Sequence, residues 1–100
     1  MIKVTVLYGH PTDEKEFEKY YEEVHTPIAL AIPNMERIEL TKFMANPDGS
    51  NAAYYRMAEL YFETIDVLSK SMGSAEGKAT AGDLANFATG GVTLLTGEVM

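Results

Sequence analysis

The order of strand-like and helix-like segments constrains the fold of this chain more than any other feature. Residues 2–8 alternate apolar and other side chains with a period of two, which is typical of a strand with one buried face. Further strands are predicted at residues 35–45, 54–64 and 90–100, and helical patterns lie before the first of these and before the last. The order β-α-β-β-α-β predicts a ferredoxin-like α+β fold, in which an antiparallel sheet carries helices on one face.

Size and charge narrow the class of protein. The 100 residues, 46% of them hydrophobic, are enough for one core, so a single domain over residues 1–100 is expected. The net charge of -7 and the lack of a basic cluster argue against nucleic acid or an anionic membrane as a partner. Cysteine is absent, which excludes disulfides and sulfur-ligated metal sites. Because no leader-like or long apolar segment is present, a cytoplasmic location is expected.

The first helix is predicted to begin at Asp13, because Glu16 three residues later completes a capping-box pattern. Its apolar face is expected to carry Phe17, Tyr20, Tyr21, Val24 and Ile28. Pro27 lacks the N–H that a helix needs at that position. We therefore expect this helix to end near Val24 or His25, with Thr26 capping a short second turn.

Two more helices are predicted from turn and cap residues. Residues 64–72 form a short helical pattern that ends at Gly73. Residues 79–88 form another, in which Thr80 and Asp83 have the spacing of a cap pair.

Tyr21 and His25 are the candidates for chemistry. Four residues apart, they share one face of a helix, although a histidine in the last helical turn can also serve only as a cap. In a dry pocket, the histidine could abstract a proton next to a carbonyl while the tyrosine holds the developing oxyanion. The substrate-binding surroundings are expected to include Tyr20, Thr26, Pro27, Phe43 and Phe62. His10 and His25 are not at metal-ligand spacing, so neither a metal nor a cofactor is expected.

The face of the sheet that carries no helices is expected to be buried as well. Strands two and three carry large apolar or aromatic groups on both faces, more than a face exposed to water should show. A second copy of the chain, packed sheet to sheet, would bury them in a homodimer.

The string Y-x-x-x-H-x-P formed by Tyr21, His25 and Pro27, within residues 17–43, resembles the EthD family, named for ethyl tert-butyl ether degradation. Residues 76–98 resemble it too, so that the likeness spans essentially the whole chain. It implies a dimeric α+β barrel with a small-molecule cavity between the sheet and the first helix. The founding member is an accessory to an oxidative ether-degrading system, and related barrels include isomerases, cyclases, cofactor-free monooxygenases and haem-binding proteins.

Two functions stay open at this point. One is a cofactor-independent isomerase-, cyclase- or oxygenase-like enzyme in a degradative or secondary-metabolic pathway. It would act on a small apolar carbonyl or phenolic compound, with His25 and Tyr21 as catalytic residues. The other is a non-catalytic ligand-binding accessory protein of an oxidative degradation system. A purely structural dimer with a filled interior is a third interpretation, and it predicts no cavity.

Overall fold

The computed structural model describes residues 1–100 and contains one four-stranded sheet with helices on one face. Its strands are β1 (Ile2–Tyr8), β2 (Arg37–Lys42), β3 (Arg56–Phe62) and β4 (Val92–Glu98). The helical segments are α1 (Glu14–Tyr20), a π-helical turn (Tyr21–His25), α2 (Thr26–Leu30), α3 (Ile65–Gly73) and α4 (Ala75–Phe87). The strand order is β2-β3-β1-β4 and every neighbouring pair is antiparallel. The ferredoxin-like α+β prediction is confirmed.

The period-two alternation of β1 decides which side chains lie beneath the helices. Val6 lies opposite Ala58 of β3 and opposite Leu94 of β4, and paired residues point to the same face of a sheet. The core joins this face to the helices and consists of Val6, Tyr8, Phe17, Tyr21, Ile32, Tyr55, Ala58, Leu60, Phe62 and Phe87. The other face, with Lys3, Glu59 and their neighbours, has no helix over it.

The start of the first helix is as predicted. The side chain of Asp13 accepts a hydrogen bond from the backbone N–H of Glu16 at 3.1 Å, which satisfies one of the free N–H groups of the first turn. The predicted end near Val24 or His25 is wrong, because the backbone stays helical from Glu14 to Leu30.

A π-helical turn is what allows the helix to continue past Pro27. The N–H of Thr26 donates to the carbonyl of Tyr21, five residues back, and this widens the helix by one residue. Pro27 then lies in the first turn of α2, where a missing N–H costs little. The proline is therefore accommodated rather than helix-ending.

The wider turn also sets which residues are buried. Phe17, Tyr21, His25 and Ala29 are buried at steps of four residues. In a regular α-helix each such step overshoots a full turn by about 40°, so the stripe would move off the sheet. The π-helical turn takes up this difference and keeps His25 facing the sheet. Val24, predicted for the apolar face, is 38% exposed for the same reason.

Helix α4 begins earlier than predicted. Ser74 is its N-cap, accepting a hydrogen bond from the N–H of Gly77 at 3.1 Å. A side chain at Gly77 would come within 2.4 Å of the carbonyl oxygen of Ser71, so the close approach of α3 and α4 requires glycine. Thr80 and Asp83 are consequently not a cap pair but buried residues of the helix interior.

Candidate functional site

A cavity of about 70 Å³ lies between the helix-covered face of the sheet and the π-helical turn, α2 and α4. Thirteen of its sixteen lining residues are hydrophobic, which favours an apolar occupant. One water needs roughly 10–15 Å³ by this measure, so the space holds several waters or a small organic molecule. The polar side chains of the lining come from Tyr8, Tyr21, His25, Thr26 and Thr80.

His25 is the basic side chain of the cavity wall, and Asp83 of α4 is its partner. The imidazole is 5% exposed, and its Nδ1 lies 2.9 Å from Asp83 Oδ2. Burial raises the pKa of Asp83, but hydrogen bonds from Tyr20, Asn86 and His25 outweigh it and hold that pKa below its ordinary value. An ionised carboxylate only accepts hydrogen bonds, so Nδ1 carries a proton and donates. Nε2 has no hydrogen-bond partner in the protein.

Tyr21 provides a second polar atom without a partner. Its side chain is 4% exposed, and its buried hydroxyl has no partner at hydrogen-bond geometry, although the Tyr8 hydroxyl lies close enough to lower the pKa of Tyr21. Burial raises the pKa of the phenol to about 12, although the Arg56 guanidinium, 4.9 Å from the ring centroid, acts in the opposite direction. The hydroxyl therefore stays protonated at neutral pH. Burial also raises the pKa of Tyr8, which lies edge-on to Tyr21 at 5.5 Å.

Replacing Tyr21 by phenylalanine is expected to stabilise the fold by about 1 kcal/mol, because an unpartnered buried hydroxyl costs about 1–3 kcal/mol. The phenyl ring keeps the contacts with Phe17 and His25. Urea denaturation of Tyr21→Phe beside wild type measures the difference. A loss of stability would mean that the hydroxyl is hydrogen-bonded, to water or to a neighbouring side chain, in the folded protein.

Asp83 is expected to make the fold sensitive to acid. Its pKa is lower in the folded chain than the ordinary value of about 4 in the unfolded chain, so it contributes stability above about pH 4. That stability is lost as the pH falls through the folded-state pKa. Urea denaturation between about pH 6 and pH 2.5 should show a flatter acid limb for Asp83→Asn than for wild type. Parallel curves would show that Asp83 titrates alike in both states.

The cavity continues outward into a charged depression. Tyr21, Thr26 and Leu40 line both spaces. At the rim, Arg56 forms a two-point ion pair with Glu18, which also accepts a hydrogen bond from the Tyr55 hydroxyl at 3.0 Å. Hydrogen bonding to Arg56 is the main reason that the pKa of Glu18 is lowered. The rim is therefore ionic while the interior is apolar.

The structure brings some of the predicted site residues together and not others. Tyr21, His25 and Thr26 line the cavity. Tyr20 does not line the cavity but is connected to it through Asp83. Its hydroxyl donates to Asp83 at 2.6 Å, and Asp83 is the partner of His25. The remaining three lie outside the lining: an exposed Pro27, a half-buried Phe43 at the end of β2, and a completely buried Phe62 in the core.

Sequence reasoning missed the role of Asp83. One signal was present, because Asp83 is the only charged residue between Lys78 and Glu98. A carboxylate is rarely buried unless it is paired, so a lone carboxylate in an otherwise uncharged helical segment was a hint of a buried partner. Which partner it has depends on tertiary packing across 58 residues of chain.

The structure also bears on metal binding and on membrane insertion. No group of three or more His, Cys, Asp or Glu side chains is arranged to hold a metal ion. None of the helices combines the length and the apolar character needed to cross a bilayer.

Known proteins share the family and the fold of this chain. An uncharacterized 11.0 kDa protein of the thcB-thcC intergenic region of Rhodococcus erythropolis is 39% identical over 95 residues, which is 95% of this chain and 91% of that protein. The crystal structure of an EthD family protein from Bacillus halodurans matches with a TM-score of 0.94 and 33% identity, covering 100% of this chain and 99% of the other. A dimeric protein of unknown function and ferredoxin-like fold from Bacteroides fragilis matches with a TM-score of 0.67 and 19% identity, covering 98% and 95%. The EthD domain family matches residues 9–91, and this chain is a member of that family.

Proposed function

We propose that this protein is a cofactor-independent acid/base enzyme that acts on a small, largely apolar compound with a carbonyl or phenolic group. His25 Nε2 takes a proton from the substrate, and the Tyr21 hydroxyl donates a hydrogen bond to the oxygen that gains negative charge. Proton removal from carbon next to a carbonyl is the simplest reaction that this pair can perform, and it is a step shared by isomerases and cyclases.

One observation carries this proposal: Tyr21 and His25 are neighbouring side chains of one apolar cavity, and each has a polar atom without a hydrogen bond in the protein, the buried hydroxyl of Tyr21 and Nε2 of His25. The His25 and Tyr21 rings are nearly parallel, with centroids 6.0 Å apart. A buried polar group without a partner lowers the stability of the fold, so its presence points to a role in function. A bound substrate would form hydrogen bonds with both the Tyr21 hydroxyl and His25 Nε2. Asp83 stabilises the imidazolium that forms when His25 accepts a proton.

The substrate class follows from the lining. A free anion would lose its hydration in the apolar interior, because the nearest cation, Arg56, is already paired with Glu18 at the rim. A neutral molecule avoids this cost and develops charge only during the reaction, next to Tyr21. The volume of about 70 Å³ favours a small molecule, and the opening towards the depression at the rim leaves room for one as large as a phenol.

Hydrogen exchange with solvent tests the proposal even when the product is unidentified. The freshly purified protein is analysed by native mass spectrometry for retained ligands, and neutral ketones, lactones and phenols are screened by thermal shift. Compounds that bind are incubated with the protein in D₂O, and deuterium at the carbon next to the carbonyl, or ortho to the phenol oxygen, is measured by NMR. Exchange faster than the buffer rate is the expected result. Binding without exchange for every compound would contradict an acid/base enzyme.

The second candidate function is a ligand-binding accessory protein of an oxidative degradation system. The apolar lining favours it, since such a cavity can hold a hydrophobic metabolite without changing it. In the same experiment, this function predicts a ligand recovered unchanged and unlabelled after long incubation. Its affinity should also be nearly equal in wild type and His25→Gln.

We also propose that the protein acts as a homodimer formed through the uncovered face and the edge of the sheet. Leu94 and Leu95 of β4 are 55% and 53% exposed, and Leu94 also lines the cavity. The relative from Bacteroides fragilis is described as dimeric. Native mass spectrometry should give twice the 11.0 kDa chain mass, and Leu95→Glu should shift the protein towards monomer. A monomer at every concentration would contradict the dimer.

A further inference from the structure

The two oxygens of Asp83 have different surroundings. Oδ2 lies 2.9 Å from His25 Nδ1, on the side of the cavity. Oδ1 accepts hydrogen bonds from the Tyr20 hydroxyl at 2.6 Å and from the Asn86 amide at 3.0 Å. Tyr20 and Asn86 belong to α1 and α4, and both line a separate groove of about 120 Å³ behind the cavity wall. The carboxylate is therefore held from behind by two donors that do not touch the cavity.

The tautomer of His25 decides whether it can act as a base. A neutral imidazole has one N–H and one basic nitrogen, and the nitrogen that faces the cavity must be the basic one. An Asp83 carboxylate aimed at Nδ1 fixes the proton there, whereas a carboxylate turned away would leave both tautomers populated.

We propose that Tyr20 and Asn86 are positioning residues, which hold Asp83 so that the proton of neutral His25 stays on Nδ1 and Nε2 is the basic nitrogen of the cavity. Their importance for turnover rests on the proposed acid/base function. Their effect on the tautomer does not, because it belongs to the resting protein.

Packing supports the arrangement. The ring of Phe87 contacts both Tyr20 and His25. It is stacked on the Tyr20 ring with centroids 5.3 Å apart and tilted against the His25 ring with centroids 4.6 Å apart. Phe87 thus fixes the distance between the phenol and the imidazole that share the carboxylate. The titratable groups that face Asp83 are Tyr20 from α1, His25 from the π-helical turn and Tyr8 from β1. None of these is a competing cation, so the hydrogen bonds determine which way the carboxylate points.

The test is ¹⁵N NMR of histidine-labelled protein, which reports the tautomer directly. The pH is set by titrating the His25 signals until the imidazole is neutral. In wild type, the tautomer with Nδ1–H is expected in roughly tenfold or greater excess, since a hydrogen bond to an ionised carboxylate favours it. Tyr20→Phe combined with Asn86→Ala should lower this excess by roughly fivefold, the worth of one ordinary hydrogen bond. Asp83→Asn should invert it, because a carboxamide N–H pairs with an unprotonated Nδ1.

Tyr55→Phe is the matched control. It also removes a phenol that donates to a carboxylate, but at Glu18, away from Asp83. The control should leave the tautomer ratio of His25 unchanged. If the double variant does not fold, Tyr20→Phe alone keeps the ring on Phe87, and it should lower the excess by roughly twofold or more.

The outcomes separate the two proposals. A wild-type ratio near one, or the same ratio in wild type and the Tyr20 and Asn86 variants, overturns the positioning role. A changed ratio in these variants and an unchanged ratio in Tyr55→Phe support it. If the ratio behaves as expected but no compound exchanges hydrogen with solvent, the positioning role stands and the acid/base function fails.

Discussion

In the His25→Gln variant, hydrogen exchange of a bound carbonyl compound is expected to fall by about 10²–10⁴-fold, the usual contribution of a positioned general base. The glutamine amide can still donate to Asp83, so the buried carboxylate keeps a partner and the fold should persist. The amide has no basic nitrogen, so the proton would have to pass to water. NMR measurement of deuterium incorporation in D₂O, at equal ligand occupancy, isolates this effect.

The chain offers a matched control for this variant in its other histidine. His10 is exposed in the turn after β1, pairs with the carbonyl of Ala52 at 2.7 Å and does not line the cavity. His10→Gln should exchange at the wild-type rate. Comparable losses in both variants would indicate a general effect on the fold, and full activity of His25→Gln would remove the histidine from the reaction.

The family string has a structural meaning that sequence reasoning could not supply. Tyr21 and His25 are the first and last residues of the π-helical turn, and Pro27 follows in the first turn of α2. Helix rules treat a proline as an end signal, and this predicted a break that does not exist. A π-helical turn is stabilised by tertiary packing and has no reliable local pattern. The burial of His25 was therefore open on sequence alone, even though its spacing from Tyr21 was visible.

The fold was predictable to a greater extent than the site. Strand β1 was predicted at its observed bounds, because alternation and turn residues are local signals. The site depends on contacts between distant segments, such as His25 with Asp83. The spacing of Thr80 and Asp83 suggested a cap pair, whereas the observed cap of α4 is Ser74. Local sequence patterns therefore identified His25, whereas its partner Asp83 is determined by tertiary packing.

Phe62 shows the same limit for apolar residues, since an aromatic side chain in a strand fits a ligand site and a core equally well. The structure has Phe62 completely buried within the core cluster and outside the lining of the cavity. Half-buried Phe43 also lies outside the lining. The difference between these two residues gives a stability test.

Phe62→Ala is expected to cost about 3–5 kcal/mol of unfolding free energy, the loss usually seen when a buried phenylalanine is removed from a core. Because small domains have only about 5–15 kcal/mol in total, the variant should be largely unfolded or unfold at much lower urea. Phe43→Ala is the control, and it should cost about 1 kcal/mol or less. Urea denaturation followed by circular dichroism measures both. If Phe62→Ala were nearly as stable as wild type but bound ligand more weakly, Phe62 would belong to the ligand site, and the cavity would extend further along β3 than its present lining.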